Sequence, residues 1–488
     1  MLSPLTIWTA IAVFTLFGLF LAWRATRENA GTAEDYYLGS RNFGGVVAGL
    51  SYAATTYSAF MLVVLTGLTY RGGIGALGFE LIYFAGLGLL VIFAPRFWLA
   101  AKRWGFISPA EMLGARYGSV WVARAAALVG LVFLMPYCTT QMAGIGLLLS
   151  GVTGGEISLV EAVATGALLA AIWTLFAGLR SVAWTDAVQA VVMLVSAVLA
   201  ILFAVAAIGG WGEFARVSME TQAQRLTVPG PGLWSLNTFI ALSLPWFFFA
   251  ISNPQVSQRL FILKDMASMK RMIFWVLGFG LVFTLIAVTW GFAALQLAPG
   301  LENTATATPA LLTSGAIPVP VAVLLILGIL AAAISTLDSI ALTLASMVAR
   351  DVLKDARPSA QILTGRVVVI LVILFAALFA VQKAQIVDQL AALSAAGLMV
   401  TVPAIVGAFF WRRATAAGAL ASILGGAALA VWMAMIQGVS VFNPVLALSV
   451  LGLTVALFVV VSLVTKPKAT ALDFGAELRG ELDRHGAW

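Results

Sequence analysis

The chain has one cysteine, Cys138, and one histidine, His485. A lone cysteine inside an apolar run excludes an intrachain disulfide and a thiolate metal cluster. A lone histidine in a charged tail excludes a buried histidine relay, a His-rich metal site and any catalytic triad that needs an imidazole. No lysine is followed by serine or threonine, so a P-loop is absent, and with it an in-chain ATP motor. Charge is scarce too: 10% of the 488 residues are charged, 62% are hydrophobic, and mean hydropathy is +1.05. That balance leaves a water-soluble domain too little polar surface to cover itself, so the solvent is mostly lipid. The net charge of +7 invites a nucleic-acid reading, but its distribution assigns it to membrane orientation instead.

What is present in abundance is apolar sequence. Runs of about 20 residues, the length that crosses a bilayer core, recur with short polar breaks and leave no room for a large soluble domain. They fall near 5-23, 44-70, 74-98, 120-151, 158-178, 185-209, 236-260, 272-297, 317-349, 364-382, 387-411, 414-436 and 442-465. The expectation is an all-α polytopic membrane protein of about thirteen helices. Arg24 and Arg27 follow the first run and nothing basic precedes it, the reverse of a secretory signal peptide, so it reads as a retained span.

An odd number of spans puts the termini on opposite sides. With the N-terminus outside, the outer segments hold only Arg71, Arg216, Arg225 and Lys383, and every other Lys and Arg falls on an inner segment. The positive-inside rule therefore places the N-terminus outside and the C-terminus in the cytoplasm, in the plasma (inner) membrane, with no basic residue at mid-membrane. Residues 466-488 read as a short charged extension.

Polar residues inside such runs are expensive and therefore informative. In the second span, Gly49-Leu-Ser-Tyr-Ala-Ala-Thr-Thr-Tyr-Ser-Ala-Phe60 is rich in small and hydroxylated residues. Close helix packing accounts for such a stretch, and so does an unwound segment whose freed carbonyls face a cavity. In the ninth span, Ala332, Ser335, Thr336 and Ser339 share one helical face, and Ser335, Asp338 and Ser339 make a second, rotated one. Hydroxyls with one carboxylate are the oxygen ligands that hard cations take. Asp186, in Trp184-Thr-Asp-Ala-Val-Gln189, stands at the expected start of the sixth span, where the helix dipole favours an acid. Glu80, in an otherwise apolar span, needs a cavity or a partner. Asn253-Pro-Gln-Val-Ser-Gln-Arg259 puts a proline near the end of the seventh span, which predicts a broken or kinked helix.

In this order the features resemble the sodium:solute symporter family across essentially the whole chain. They begin with Asp35-Tyr-Tyr-Leu-Gly-Ser-Arg41, continue through Trp184–Gln189 and Asn253–Arg259, and end with Ile334-Ser-Thr-Leu-Asp-Ser339 and Ala349-Arg-Asp351. The resemblance implies a LeuT-type fold of two inverted five-helix repeats, the first helix of each broken at the substrate site. Those repeats would be residues 44-209 and 236-411. A first span and loop (1-43) precede them, and two C-terminal spans (412-465) and the tail (466-488) follow.

The resemblance also implies a Na⁺ site built from the carbonyls of Ala54, Tyr57 and Ala332 and the hydroxyls of Ser335 and Thr336. Some members have a second Na⁺ site, whose matching positions here are Asp186, Ser335, Asp338 and Ser339. Such members commonly carry Ser or Thr where this chain has Asp338. Two carboxylates in one site repel, so the pair either holds Na⁺ more strongly or takes H⁺.

The substrate would lie near Tyr52, Ala53, Thr56, Glu80, Gln141, Asn253 and Gln255. Sugar-transporting members resemble the chain at Asn253 and Glu80 but place Tyr where Gln255 stands and a Lys in the eighth span. The stretch Met135-Pro-Tyr-Cys-Thr-Thr-Gln-Met-Ala-Gly144 is more similar to proline and organic-acid transporters. The implied function is Na⁺-coupled symport of a monocarboxylate or amino acid by alternating access, with no enzymatic activity and with a monomer sufficient. The alternatives are a transporter-like membrane sensor of a small solute and an H⁺-coupled or pantothenate/sugar symporter.

Overall fold

A computed structural model describes residues 1–26, 32–228, 232–352 and 358–486. Arg27, Lys354 and Arg357, assigned above to inner segments, lie outside the described residues. Helix falls on every one of the expected spans. Among the described residues ten helices are each long and apolar enough to cross a membrane, and there are eleven if the pair Gly45–Thr56 and Phe60–Gly72, bent by 46°, is counted as one broken span. The expected fifth and seventh spans contain the shorter apolar helices Leu159–Leu175 and Leu236–Phe247. The outward faces carry exposed Phe17, Phe20, Leu168, Leu371, Leu374, Leu378 and Val460, the apolar belt that lipid requires.

Two spans are interrupted where the sequence carries its polar or proline-containing stretches. The second span unwinds at Tyr57 and Ser58 and resumes with a π-helical stretch at Phe60–Leu65. The seventh runs through Leu236–Phe247 and Phe249–Ser252, turns extended at Asn253 (φ −90°, ψ 113°), and restarts at Pro254. A proline disfavours helical backbone in the residue before it, which is why the break falls at Asn253. Either break frees backbone groups that lipid could not satisfy, so both are tolerated only because they are buried in protein.

The fifth and sixth spans form a tight hairpin with no linker at 180–184. The chain reverses at Gly178 (φ 62°, ψ −157°), where a Cβ would stand 2.4 Å from the Tyr36 carbonyl oxygen. Only glycine accepts that conformation and that approach. Asp186 therefore lies about two turns inside the sixth span, Gly178–Ile208, and the helix-dipole explanation for it falls. The ninth span, Val319–Met347, packs most extensively against this hairpin, while Gly45–Thr56 packs on both the hairpin and the eighth span, Met266–Leu297. The ninth span, the hairpin and the first half of the second span thus share one buried centre.

Short segments outside the spans close the two ends. Between the eighth and ninth spans, the buried Thr308 accepts from Trp290 Nε1 (3.1 Å) and donates to the Leu62 carbonyl, which lies in the π-helical stretch. At the opposite end Asp35 is buried and holds Arg180 at 2.9 Å and Ser40 Oγ at 2.6 Å. The tail is more than a charged extension: Phe474 is fully buried and stacks on Trp104, ring centroids 4.9 Å apart. Asp265 caps the eighth span by accepting the Ser268 N–H at 2.7 Å, which holds its carboxyl below the usual carboxylate range.

Candidate functional site

The break at Tyr57 positions the first group. Ser335 Oγ lies 3.1 Å from both the Ala54 and Ala332 carbonyl oxygens. Thr336 Oγ1 lies 3.0 Å from the Ala332 carbonyl and 3.4 Å from those of Ala54 and Thr55. All of these residues are buried. Helix geometry explains the convergence, since Ala332, Ser335 and Thr336 stand at i, i+3 and i+4 on one face. The break supplies the opposite wall. A hydroxyl can donate to only one of two carbonyls at a time, so the group holds more acceptor oxygens than donors, a donor set suited to a hard cation. Thr55, whose carbonyl joins the group, was not among the expected ligands. Tyr57 ends the helix at this point, and its ring packs against Phe279 and Phe283 of the eighth span. Gly280 makes room for it, because a Cβ there would meet the Tyr57 hydroxyl at 2.0 Å.

The second group differs from expectation. Arg259, placed by sequence among inner-segment basics, is fully buried. Its Nη2 donates to Asp186 Oδ2 at 2.9 Å and to Ser339 Oγ, and its Nε donates to Thr55 Oγ1 at 3.1 Å. Ser51 Oγ donates to the same Asp186 oxygen at 2.8 Å. After the break at Asn253 the seventh span continues only as the short turns Pro254–Ser257 and Gln258–Ile262. These turn the guanidinium into the protein rather than out to the cytoplasm. Asp338 is held separately, its Oδ1 accepting from Thr174 Oγ1 at 2.6 Å. Among the described residues no hydrogen bond joins the two carboxylates, and the Ser335 hydroxyl belongs to the first group. Asp186 Oδ1 and Arg259 Nη1 are buried without partners. Sequence reasoning missed Arg259 and Thr174; a hydroxyl in the apolar fifth span was the available signal for Thr174.

The expected substrate residues line the two breaks. Ala53 is buried, and its carbonyl accepts the Tyr57 N–H at 2.7 Å. Gln255 Nε2 donates to Asn253 Oδ1 at 3.3 Å, and the Asn253 amide donates to Ser252 Oγ at 3.3 Å. The Thr56 carbonyl accepts from the Tyr83 hydroxyl at 3.4 Å, while Ser58 Oγ lies 3.1 Å from the Tyr137 hydroxyl. Many polar atoms here are buried with no partner: the Tyr52 hydroxyl, Thr56 Oγ1, both Glu80 oxygens, Gln141 Oε1 and Nε2, and Gln255 Oε1. Buried polar atoms are almost always satisfied by protein or by ordered water, and no protein group among the described residues satisfies these. None of these residues is more than 2% exposed.

Comparisons with known proteins identify the fold and the family. A Na⁺-coupled sialic acid symporter in its substrate-bound outward-open state has the same fold, with a TM-score of 0.77 at 22% identity over 95% of this chain and 98% of that one. Mhp1, a nucleobase-cation-symport-1 family transporter, matches with a TM-score of 0.58 at 16% identity, covering 90% of this chain and 98% of its own. The architecture is thus the LeuT type. Among sequence relatives, the sodium/proline symporter of Escherichia coli is 26% identical over 88% of each chain. The uncharacterized symporter YodF of Bacillus subtilis is 25% identical over 86% of each. The sodium/pantothenate symporter of Escherichia coli is 28% identical over 47% of this chain and 50% of its own. The model of the sodium:solute symporter family matches residues 36–426, most of the chain, and this multi-pass membrane protein therefore belongs to that family of Na⁺-coupled transporters and is not an enzyme.

Proposed function

We propose that the chain takes up a small organic solute, an organic acid or an amino acid, by Na⁺-driven alternating access in the plasma membrane. The observation that carries the reading is the meeting of the Ala54 and Ala332 carbonyls with Ser335 Oγ and Thr336 Oγ1, all within 3.4 Å. Na⁺ at this point ties the ninth span to the broken second span and so favours the state in which they are close. A ligand shifts such an equilibrium only by its differential affinity for the two states. Solute bound between the breaks then favours closure, and the cation is released to the low-Na⁺ side.

In this scheme the inverted repeats occupy 44-209 and 236-411, the N-terminus is outside and the C-terminus cytoplasmic. A monomer suffices. Asp338 and the unpartnered Oδ1 of Asp186 are the groups available to a second coupling cation, Na⁺ or H⁺, beside the guanidinium. Tyr52, Ala53, Thr56, Glu80, Gln141, Asn253 and Gln255 contact the solute.

The test is uptake into proteoliposomes with and without an inward Na⁺ gradient. Accumulation above equilibrium that requires Na⁺ is expected. A large rise in the Na⁺ concentration needed for uptake by the Ser335→Ala, Thr336→Ala double variant assigns the site, and unchanged Na⁺-driven activity in that variant removes the assignment.

A further inference from the structure

Glu80 is the solute contact in the proposed cycle whose ligand chemistry is still open. Its side chain is fully buried in the third span, Gly75–Trp104, and neither carboxylate oxygen has a hydrogen-bond partner. No Arg, Lys or His among the described residues pairs with it. The fully buried guanidinium of Arg259 is committed to Asp186. A buried carboxyl with no partner either takes up a proton or stays ionised at a cost of several kcal/mol, roughly, and a cation arriving from outside favours the ionised form.

The surroundings specify what completes it. Tyr83 stands one turn along the same helix from Glu80, and its ring belongs to one cluster with those of Tyr57 and Tyr137. Tyr83 meets Trp246 and Phe249 with centroids 5.3 Å apart in each case, Tyr57 meets Tyr83 at 5.9 Å, and Tyr137 meets Trp246 at 6.2 Å. Aromatic faces beside an anion attract a cation, and aromatic cages are a known way of recognising alkylated ammonium groups.

We propose that the solute carries an ammonium group, primary to quaternary, which pairs with Glu80 within this aromatic cluster. Its remaining polar atoms reach the unpartnered Tyr52, Gln141 and Gln255. This deepens the symport reading and rests on its choice of solute site. A simple monocarboxylate brings a second negative charge toward Glu80, and the buried guanidinium of Arg259 is already paired with Asp186. A sugar hydroxyl can donate to Glu80 but leaves the charge uncompensated. An ammonium group both donates and neutralises.

The experiment uses the purified full chain in Na⁺ buffer and reads thermal stabilisation by matched pairs: proline against cyclopentanecarboxylate, and choline against 3,3-dimethyl-1-butanol, with lactate and glucose as further probes. The expected result is stabilisation by at least one ammonium member, with its nitrogen-free partner bound at least about tenfold more weakly. Glu80→Gln loses that preference and Glu80→Asp keeps part of it, while both retain the stabilisation that Na⁺ gives alone. The inference is overturned if no ammonium member stabilises the protein, if the nitrogen-free partner, lactate or glucose binds as tightly, or if Glu80→Gln keeps the preference. Ammonium binding without Na⁺-driven uptake overturns the symport reading instead and leaves the ammonium site standing.

Discussion

Removing the Arg259 guanidinium is the most informative perturbation, because it tests a buried charge pair that organises three elements. Arg259 and Asp186 are both fully buried at 2.9 Å, with Ser51, Thr55 and Ser339 as the surrounding hydroxyls. In Arg259→Met, Asp186 keeps only the Ser51 hydroxyl and becomes an uncompensated buried charge. Breaking a pair of this kind from one side costs about 3–5 kcal/mol. Asp186→Asn strands the guanidinium at a similar cost. The double variant removes both charges, so it is less destabilised than the two single costs added together, with a coupling energy above about 1 kcal/mol. The assay is a double-mutant cycle on unfolding of the detergent-solubilised protein in graded sodium dodecyl sulfate. Costs that add to within about 0.5 kcal/mol would refute the reasoning, because two groups held at 2.9 Å in a dry core cannot be independent.

Replacing Ser335 and Thr336 together by alanine removes two of the hydroxyl oxygens at the second-span break. The half-saturating Na⁺ concentration for uptake should rise at least about tenfold, the equivalent of about 1.4 kcal/mol, with the fold intact by gel filtration. Gly178→Ala forces a side chain into a conformation with φ 62° and against the Tyr36 carbonyl. The expected loss is about 1–3 kcal/mol, read as a lower melting temperature, and an unchanged value would contradict the hairpin geometry. Thr308→Val leaves the Leu62 carbonyl and the Trp290 N–H unpaired, a loss of about 1–3 kcal/mol read in the same way. Asp265 has a depressed pKa in the folded chain, so its contribution is present above the unfolded value of about 3.9 and is lost as pH falls through the folded one. The stability gap between wild type and Asp265→Ala should therefore be full at neutral pH and close in acid; a gap independent of pH would exclude the capping carboxylate as its source.

The positions of the spans were legible because each rests on a local property, an apolar run long enough to cross lipid. The break at Asn253 was legible for the same reason, because proline at 254 acts on the residue before it, whereas the small hydroxylated stretch at 49–60 fitted close helix packing as well as an unwound segment. Ala332, Ser335 and Thr336 could be placed together because helical spacing alone puts them on one face. That the Ala54 carbonyl faces them depends on how the second span lies against the ninth, and the sequence supplied it only through resemblance to a family. Arg259 misled for a related reason: basic residues near span ends normally reach the interface, and nothing local says that the turns after Asn253 aim this one inward.

Composition and apolar runs therefore determined by themselves that this is an all-helical membrane protein and roughly where its helices run, and proline at 254 marked one break, since the cost of polar groups in lipid acts residue by residue. The partners of those polar groups were decided only by tertiary structure. Arg259 meets Asp186 across 73 residues, Thr174 meets Asp338 across 164, and Ser335 meets Ala54 across 281. Glu80 is left with aromatic rings and no countercharge. Which side chain neutralises a buried charge, and which buried acid is left without a partner, depends on the packing of helices distant in sequence, and no local rule of spacing carries that information.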